Sequence, residues 1–403
     1  MKKQFFLIFL AGILITSCKQ AEQRDFVASS MDLAAHQLSA AIAHIPDSFT
    51  NYGPRTIING NVHYITFLLD WTVGFFPGSL WHMYEYTQDN KWKERAERFT
   101  NAIENAKFNT RHHDVGFVIY CSFGKGYRLT RNEHYRDVVI QAAHSLSTRF
   151  NPNVGAIKSW NTATGWQSTR GWEYPVIVDN MMNLELLFNA AKFTGDSSFY
   201  KIAVAHADNT LQNHYRPDYS SYHVIDFDSI SGEVRHRHTA QGSAHESAWA
   251  RGQAWGFYGF VMCYRETGYQ RYLEQAEKIA NWWMTHNNLP ENLVPYWDFD
   301  APNIPNEPRD ASAAAITASA LLELASFGTA RSKEYFDFAE KTLISLSSPD
   351  FLAEPDENGF FILKHSVGSI PHNQEIDVPL NYADYYFLEG LIRYKTISPR
   401  FAP

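Results

Sequence analysis

Apolar residues recur at intervals of three and four along most of this chain, the spacing that lines one face of a helix. The pattern predicts twelve helices, near residues 29–44, 70–87, 91–106, 115–129, 132–149, 179–195, 197–213, 248–267, 270–287, 311–327, 332–347 and 382–396. Four junctions between consecutive spans share one design: YTQDNKWKERAERF (86–99), LTRNEHYRDVVIQAA (129–143), FTGDSSFYKIAVAHA (193–207) and ETGYQRYLEQAEKIA (266–280). Each has a Thr, a polar turn, an aromatic residue, then a small or β-branched residue four beyond it. SFGTARSKEYFDFAEKTL (326–343) is a weaker copy. The turn residues end one helix and cap the next, and the aromatic staples the pair. A repeated helix–turn–helix unit needs neighbours to bury its face. The threonines stand at 87, 130, 194 and 267, so the spacing is irregular. That argues against a plain solenoid and suits a closed ring of helical hairpins with long loops at one end.

Those loops hold the chemically unusual residues. Segment 151–178 is rich in Trp, Thr and Gly, 214–247 contains HRHTAQGSAHES, 288–310 carries VPYWDFDAPNIP, and 348–381 holds KHSVGSIPHNQEID. Long loops on a rigid scaffold are where binding and catalysis concentrate. The 403 residues are 45% hydrophobic, ample for a large core. Aromatic residues reach 15%, with 11 Trp and 22 Tyr. Rings can fill a core, and a flat ring also covers the C–H face of a sugar while its polar edge still hydrogen bonds.

The N-terminus changes the picture again. MKKQFFLIFLAGILITSCKQ has Lys2 and Lys3 before an apolar run to Ile15, the form of a signal peptide over 1–17. Ile15-Thr16-Ser17-Cys18 resembles a bacterial lipobox, whose cleavage leaves a lipidated Cys18; the alternative is an ordinary secretory signal with an incidental Cys. Residues 18–28 then read as a lipidated Cys and tether, and 29–403 as a single domain. No interior stretch reads as a membrane span, so membrane contact is expected only through the lipid. Removing 1–17 takes away two lysines and no acids, moving the formal net charge from −8 to −10. That disfavours nucleic acid as a partner, though cations in a cleft can still hold an anionic substrate. Cys121 and Cys263 lie in apolar helical stretches and read as buried thiols.

Two carboxylates stand out. Asp114 in RHHDVGFVIYCSFG and Asp179 in VIVDNMMNLELLF each precede an apolar helix. Either can be a helix N-cap, a role that suits Asp and the helix dipole. The apolar flanks of Asp179 bury it, however, and burial raises a carboxyl pKa while a helix N-terminus lowers it. Two such groups in one cleft can be tuned apart, one acid and one ionised. In ARGQAWGFYGF (250–260), Arg251 and Trp255 share a helix face; Arg251 can grip a substrate carboxylate in a two-pronged contact or form a structural ion pair. The scattered histidines, His112, His113, His223, His236, His238 and His245, have no metal-ligand spacing, and neither a metal nor an organic cofactor is expected. There is no GxSxG, Walker loop or GxGxxG at a strand–helix junction, which disfavours serine hydrolases and nucleotide enzymes.

With these residues in view, HDVGF (113–117), VIVDNMMNLELL (176–187), RPDYSSYHVIDFD (216–228), SAWARGQAWGFYGF (247–260), VPYWDFDAP (294–302), RDASAAAI (309–316) and DVPLNYADYYFLEGLIR (377–393) resemble the unsaturated glucuronyl hydrolases of glycoside hydrolase family eighty-eight. The similarity runs in order from about residue 60 to 396. It implies an all-α fold, an (α/α)6 barrel of six helical hairpins. It also implies removal of a C4=C5 unsaturated glucuronic acid from the non-reducing end of lyase-made di- and oligosaccharides, glycosaminoglycan-like ones among them. In that chemistry an Asp protonates C4 of the enol ether, water adds at C5, and the hemiketal opens and releases the remaining sugar. By motif, Asp179 matches the family's general acid/base and Asp114 its second essential carboxylate. His223, Gln241, Arg251 and Trp255 match substrate-contacting positions. Trp71 and Trp166 are the expected stacking platforms, with Trp160 and Trp172 as alternatives to Trp166, and His365 to Ser369 fall where the next sugar is recognised. Alternatives are an unsaturated galacturonyl hydrolase acting on pectin fragments and, in another class, a non-catalytic glycan-binding lipoprotein, which needs rings but no matched carboxylates. The expected location is the periplasm or outer membrane of a Gram-negative bacterium, by lipid anchor; oligomeric state is not readable.

Overall fold

The computed structural model describes residues 26–46 and 52–402. The signal peptide, Cys18 and most of the tether lie outside the described residues. Twelve helical segments follow: α1 (26–44), α2 (Phe75–Thr87), α3 (Asn90–Ala102), α4 (Val115–Ile119 continued through a π turn, Tyr120–Gly124, into Lys125–Thr130), α5 (Glu133–Ser147), α6 (Leu184–Thr194), α7 (Ser197–Asn213), α8 (Ala250–Thr267), α9 (Gln270–Thr285), α10 (Ala311–Ser326), α11 (Ser332–Leu346) and α12 (Asn381–Ile397). The even-numbered helices form an inner ring, packed in the order α2, α4, α6, α8, α10, α12, with α12 closing back on α2. The odd-numbered helices lie outside. This is the expected (α/α)6 barrel. Burial agrees with the layering: α8, α10 and α12 are buried along most of their length, whereas α3 and α9 bury one face only.

The shared junctions prove to be inner-to-outer turns built alike. The Thr hydroxyl bonds back to the carbonyl four residues earlier, Met83, Gly126, Ala190 and Cys263 in turn, at 2.7–2.8 Å. It also accepts the backbone N–H two residues ahead. The residue between turns left-handed: Gln88, Arg131, Gly195 and Gly268, with φ between 57° and 74°. Asp89, Asn132 and Asp196 then cap the next helix. The stapling rings Trp92, Tyr135, Phe199 and Tyr272 are all buried. These tight turns occupy one end of the barrel. The long outer-to-inner connections all fall at the other end, where the inner helices begin.

The long connections contain short strands that helical periodicity could not signal: β1 (Pro54–Ile58), β2 (Asn61–Tyr64), β3 (Phe150–Asn151), β4 (Ala156–Ile157), β5 (Tyr174–Ile177), β6 (Val224–Phe227), β7 (Val234–His238), β8 (Ser366–Ser369) and β9 (Gln374–Val378). Strands β5, β6 and β7 form an antiparallel sheet in that order, with β7 at its edge. Strands β8 and β9 form a hairpin. Several boundaries differ from expectation. Helix α1 is already formed at 26, the first described residue, where 29 was expected; α2 begins at Phe75 rather than 70, and α3 stops at Ala102, followed by a 3-10 turn, Glu104–Phe108. The stretch 179–195 divides into a 3-10 turn, Val178–Asn183, and α6. Cys121 and Cys263 are free and buried, as expected.

Ring closure demands close backbone approach. A Cβ on Gly78 of α2 would stand 2.5 Å from the Tyr385 ring of α12 and 2.7 Å from the Cys121 carbonyl of α4. Backbone cannot yield as a flexible side chain does. Gly78→Val is therefore expected to destabilise the fold by about 3 kcal/mol or more, beyond an ordinary overpacked position; urea unfolding measures it, and an unchanged midpoint would contradict the closure.

Candidate active site

Both candidate carboxylates lie at the open end, and neither side chain caps a helix. Asp114 occupies the N-cap position of α4 but makes no cap hydrogen bond. Asn183 takes that role instead: its Oδ1 accepts from the backbone N–H of Phe117 at 2.8 Å. Gly116 permits this, because a Cβ there would lie 2.4 Å from the Asn183 oxygen. Asp114 is thereby left to other partners. Its carboxylate lies 3.1 Å from His112 Nδ1 and 3.4 Å from His113 Nε2. Burial alone would raise its pKa, but His113, His112 and Arg149 outweigh burial and hold it below the usual value.

Asp179 sits in the 3-10 turn, placed by the sheet. β5 ends at Ile177, which pairs with Val224 of β6, and the Val178 N–H continues the ladder to the His223 carbonyl at 3.0 Å. This register sets Asp179 beside His223, with Asp179 Oδ2 and His223 Nε2 3.7 Å apart. Asp179 is only 8% exposed and its Oδ2 has no hydrogen-bond partner. Burial pushes its carboxyl up to about 7, with Arg251 opposing and Asp114 adding to the rise. His223 is neutral, its pKa driven well down by burial and then by Arg251. Its Nδ1 accepts the backbone N–H groups of Ala240 and Gln241 at 3.1 and 3.3 Å. The ring proton therefore resides on Nε2, facing Asp179.

The other expected residues surround this pair at differing depths. Gln241 Nε2 donates to the Gly368 carbonyl at 3.1 Å. Arg251 is fully buried. It pairs with Asp310 at 3.0 Å, donates to the carbonyls of Val367 and Gly368, and lies over the Trp249 ring. Of its two alternatives, the ion pair is present in this structure. Trp255 is fully buried against Phe117 and Tyr386. Trp71 is half-buried, with Tyr382 4.9 Å away and Phe117 at 5.7 Å. Among the three candidates for the second platform, Trp172 is buried, Trp160 half-buried and Trp166 exposed. Trp166 meets Trp160 at 5.1 Å and His372 of the β8–β9 turn at 4.8 Å. His365 lies outward, bonded to Asp377 at 2.7 Å.

Sequence reasoning missed several contributors. Asn183, the cap that frees Asp114, stands in the same DNMMN segment as Asp179, and an Asn one turn from a candidate acid was the only signal. Trp249 places its ring 4.5 Å from that of His223. Asp310 caps α10 through the Ser312 N–H while holding Arg251. The inner helices all begin at this end, so the positive ends of their dipoles converge where an anionic sugar would lie.

The Glycosyl Hydrolase Family 88 profile matches residues 51–396. An unsaturated glucuronyl hydrolase from Formosa agariphila is 50% identical over 325 residues, covering 80% of this chain and 80% of its own. A solved unsaturated glucuronyl hydrolase specific for heparin superposes with a TM-score of 0.88 at 46% identity, covering 93% of this chain and 98% of its own. The structure of an unsaturated glucuronyl hydrolase from a Bacillus species, responsible for the degradation of glycosaminoglycan, gives 0.81 at 31% identity over 92% and 96%.

The raised pKa carries a stability consequence. A carboxyl whose folded pKa exceeds its ordinary 3.8 contributes stability that is complete below that value and lost as pH rises through about 7. Asp179→Asn is therefore expected to melt no lower than the unsubstituted protein at pH 8, and closer to it at pH 5. Calorimetry at the two pH values checks this; a mutant clearly less stable at pH 8 would show that Asp179 is held ionised.

Proposed function

The chain belongs to Glycosyl Hydrolase Family 88, and we propose from that premise that Asp179 is its general acid/base and Asp114 the carboxylate that positions the sugar. The enzyme is an unsaturated glucuronyl hydrolase acting on glycosaminoglycan-derived oligosaccharides. It removes the C4=C5 unsaturated glucuronic acid from the non-reducing end by hydrating the enol ether.

One observation carries the residue assignment: a buried carboxyl at about 7, facing a neutral imidazole. Protonating C4 needs an acid that keeps its proton near neutral pH. An ordinary Asp is protonated to roughly one part in a thousand at pH 7, whereas one at about 7 is half protonated. Once the proton is delivered, the Asp179 carboxylate is a base for the water that adds at C5. The Nε2–H of His223 is aimed at the oxygen that then bears the charge. Asp114, held ionised, cannot be this acid but can accept hydroxyl hydrogens. Because a double bond is hydrated, carboxyl separation predicts no retention or inversion here. Trp71, half-buried, and Trp166, exposed, keep ring surface that suits stacking on a sugar, and Gln241, Arg251 and Trp255 are read as its supports.

We infer export and a lipid anchor from the apolar leader and the Ile15-Thr16-Ser17-Cys18 stretch. Cys18→Ser is expected to move the protein from the membrane fraction to the soluble one on expression in a Gram-negative host; unchanged partitioning would refute the anchor.

Loss of the enol-ether absorbance follows turnover on lyase-made disaccharides. Asp179→Asn is expected to lower kcat at least a thousandfold with the fold intact, and near-normal turnover would sink the assignment. In the unsubstituted enzyme kcat/KM falls above pH 7 as Asp179 loses its proton. Asp114 raises that pKa by charge repulsion, so in Asp114→Asn, which is also severely impaired, the alkaline limb moves to lower pH. A limb that stays in place would separate the two carboxylates electrostatically.

A further inference from the structure

The chain enters the barrel from the end opposite the cleft. Helix α1 runs antiparallel to α12. At its start, the Phe26 ring meets that of Tyr394, close to the C-terminus of α12, with centroids 5.2 Å apart. Val27 and Ala28 share a groove with Tyr86 at the end of α2 and with Pro399 and Phe401 beyond α12. At the other end of α1, the His44 ring stacks on Phe360 at 4.5 Å, and the His44 carbonyl accepts from the Tyr64 hydroxyl at 3.1 Å. Phe360 precedes the two N–H groups, of Ile362 and Leu363, that Asp384 holds in the first turn of α12. Helix α1 therefore starts among the tight turns and ends beside the long loops. The chain before Phe26 joins the domain at the closed end.

Cys18 stands eight positions before Phe26. Even drawn out straight, eight residues reach about 28 Å. The 26–44 span of α1 alone covers about 28 Å on its way to the open end. A lipid on Cys18 is thus within easy reach of the closed end, whereas the cleft meets the same bilayer only with the whole link stretched back along the outer wall. The closed end also suits a headgroup surface. Lys91, Arg131, Lys395 and Arg400 are exposed there, and none of them forms an ion pair with a carboxylate among the described residues. The acids of the same turns are engaged: Asp89 and Asp196 cap helices, Glu133 pairs with Arg136 and Glu334 with Arg331. Unpaired cations attract anionic headgroups at short range. Tyr269, 38% exposed in the α8–α9 turn, adds a ring with a polar tip, a side chain suited to a lipid interface.

We propose that the closed end is the face this protein turns to the bilayer, with Lys91, Arg131, Lys395 and Arg400 toward anionic headgroups and the cleft opening away from the membrane. This rests on the lipid-anchor reading above and is independent of which saccharide is cleaved. The enzyme then takes its oligosaccharides from the surrounding fluid rather than from the surface that holds it.

The test uses the full lipidated chain, reconstituted in vesicles of phosphatidylethanolamine and phosphatidylglycerol that carry a headgroup-attached quencher. Cys121 and Cys263 are buried and the lipid occupies Cys18, so an introduced thiol alone takes a fluorophore. Asn90→Cys and Tyr269→Cys place it at the closed end; Ile230→Cys, at a position 82% exposed in the β6–β7 turn, places it at the open end. The two ends stand a helix length apart, about 27 Å for α8, so the closed-end labels are expected to be quenched about threefold more than the open-end label. Replacing phosphatidylglycerol by phosphatidylcholine is expected to weaken closed-end quenching. A variant combining Lys91→Gln, Arg131→Gln, Lys395→Gln and Arg400→Gln is expected to lose that dependence. Equal or stronger quenching at the open end overturns the orientation. A dependence on anionic lipid that survives the four substitutions overturns the headgroup contact. Circular dichroism checks that each variant is folded, and the two closed-end sites stand in for one another. Should mass spectrometry find Cys18 unmodified and the full chain stay off the membrane, the anchor reading fails and the orientation with it.

Discussion

One buried ion pair, Arg251 with Asp310, holds the open end of the barrel together. Removing two charges from water costs several kcal/mol per ion unless their remaining hydrogen-bonding capacity is used. Here most of it is. Asp310 Oδ1 caps α10, and Arg251 donates to two carbonyls of β8 while lying between Trp249 and Tyr382. The pair therefore joins α8, α10 and the β8–β9 hairpin at one point. The hairpin is fastened again by Glu375 to Arg55 of β1 at 2.6 Å, and Arg55 holds Asp70, the neighbour of Trp71. Breaking the pair would leave an uncompensated buried charge and release a wall of the cleft. Its guanidinium also restrains Asp179, whose carboxyl would rise further without a nearby cation.

The two ends of the barrel differ in how they place buried charge. At the end with tight turns, charges are matched: Lys125 with Glu389 at 2.9 Å, Arg393 with Glu323 at 2.7 Å, Arg265 with Glu323 at 2.6 Å. These cations sit in the C-terminal halves of inner helices, where the helix dipole favours them. At the open end, buried polar atoms stand without protein hydrogen bonds: Asp179 Oδ2, His223 Nε2, Arg251 Nε, Trp255 Nε1 and Tyr382 Oη. Buried polar groups in folded proteins are ordinarily satisfied. Such atoms occur elsewhere too, both ring nitrogens of His82 among them, but those around Asp179 are what a sugar-binding site needs, since each is a position for a ligand hydroxyl, carboxylate or water. Helix orientation unites the two ends, because the same ring that buries cations at its C-termini aims its N-termini at an anionic sugar.

Much of the fold was legible because helices write their period into the sequence. The Thr junctions were legible too, since the Thr, the left-handed turn residue and the staple fall within a dozen residues. What escaped was irregular or distant. The 3-10 turn at Val178–Asn183 continues an apolar run, so nothing local separates it from α6. Strands β5 and β6 are short and depend on pairing between segments some 50 residues apart. Asp114 and Asp179 could be singled out by their apolar surroundings, yet each also looked like a cap. The choice turned on Asn183, whose bond to Phe117 spans 66 residues. The contacts of Arg251 with Val367 and Gly368 span more than a hundred. Such pairings leave no spacing to read.

A raised pKa by itself does not identify the reagent. Asp384 is buried too, and burial lifts it to about 7 as well. But both of its oxygens are occupied, accepting the N–H groups of Ile362 and Leu363 at 3.0 and 2.8 Å, so it fastens the segment leading into β8. Asp179 has the same titration and the opposite geometry, with one oxygen unbonded and facing a neutral ring N–H. A shift from 3.8 to about 7 corresponds to destabilisation on the order of 4 kcal/mol when the carboxyl is ionised. At Asp384 backbone bonds offset part of that and the return is structural. At Asp179 the charge of Arg251 and a backbone hydrogen bond offset only part of it. The group is left poised near neutrality, able to give a proton to carbon and to take one back from water.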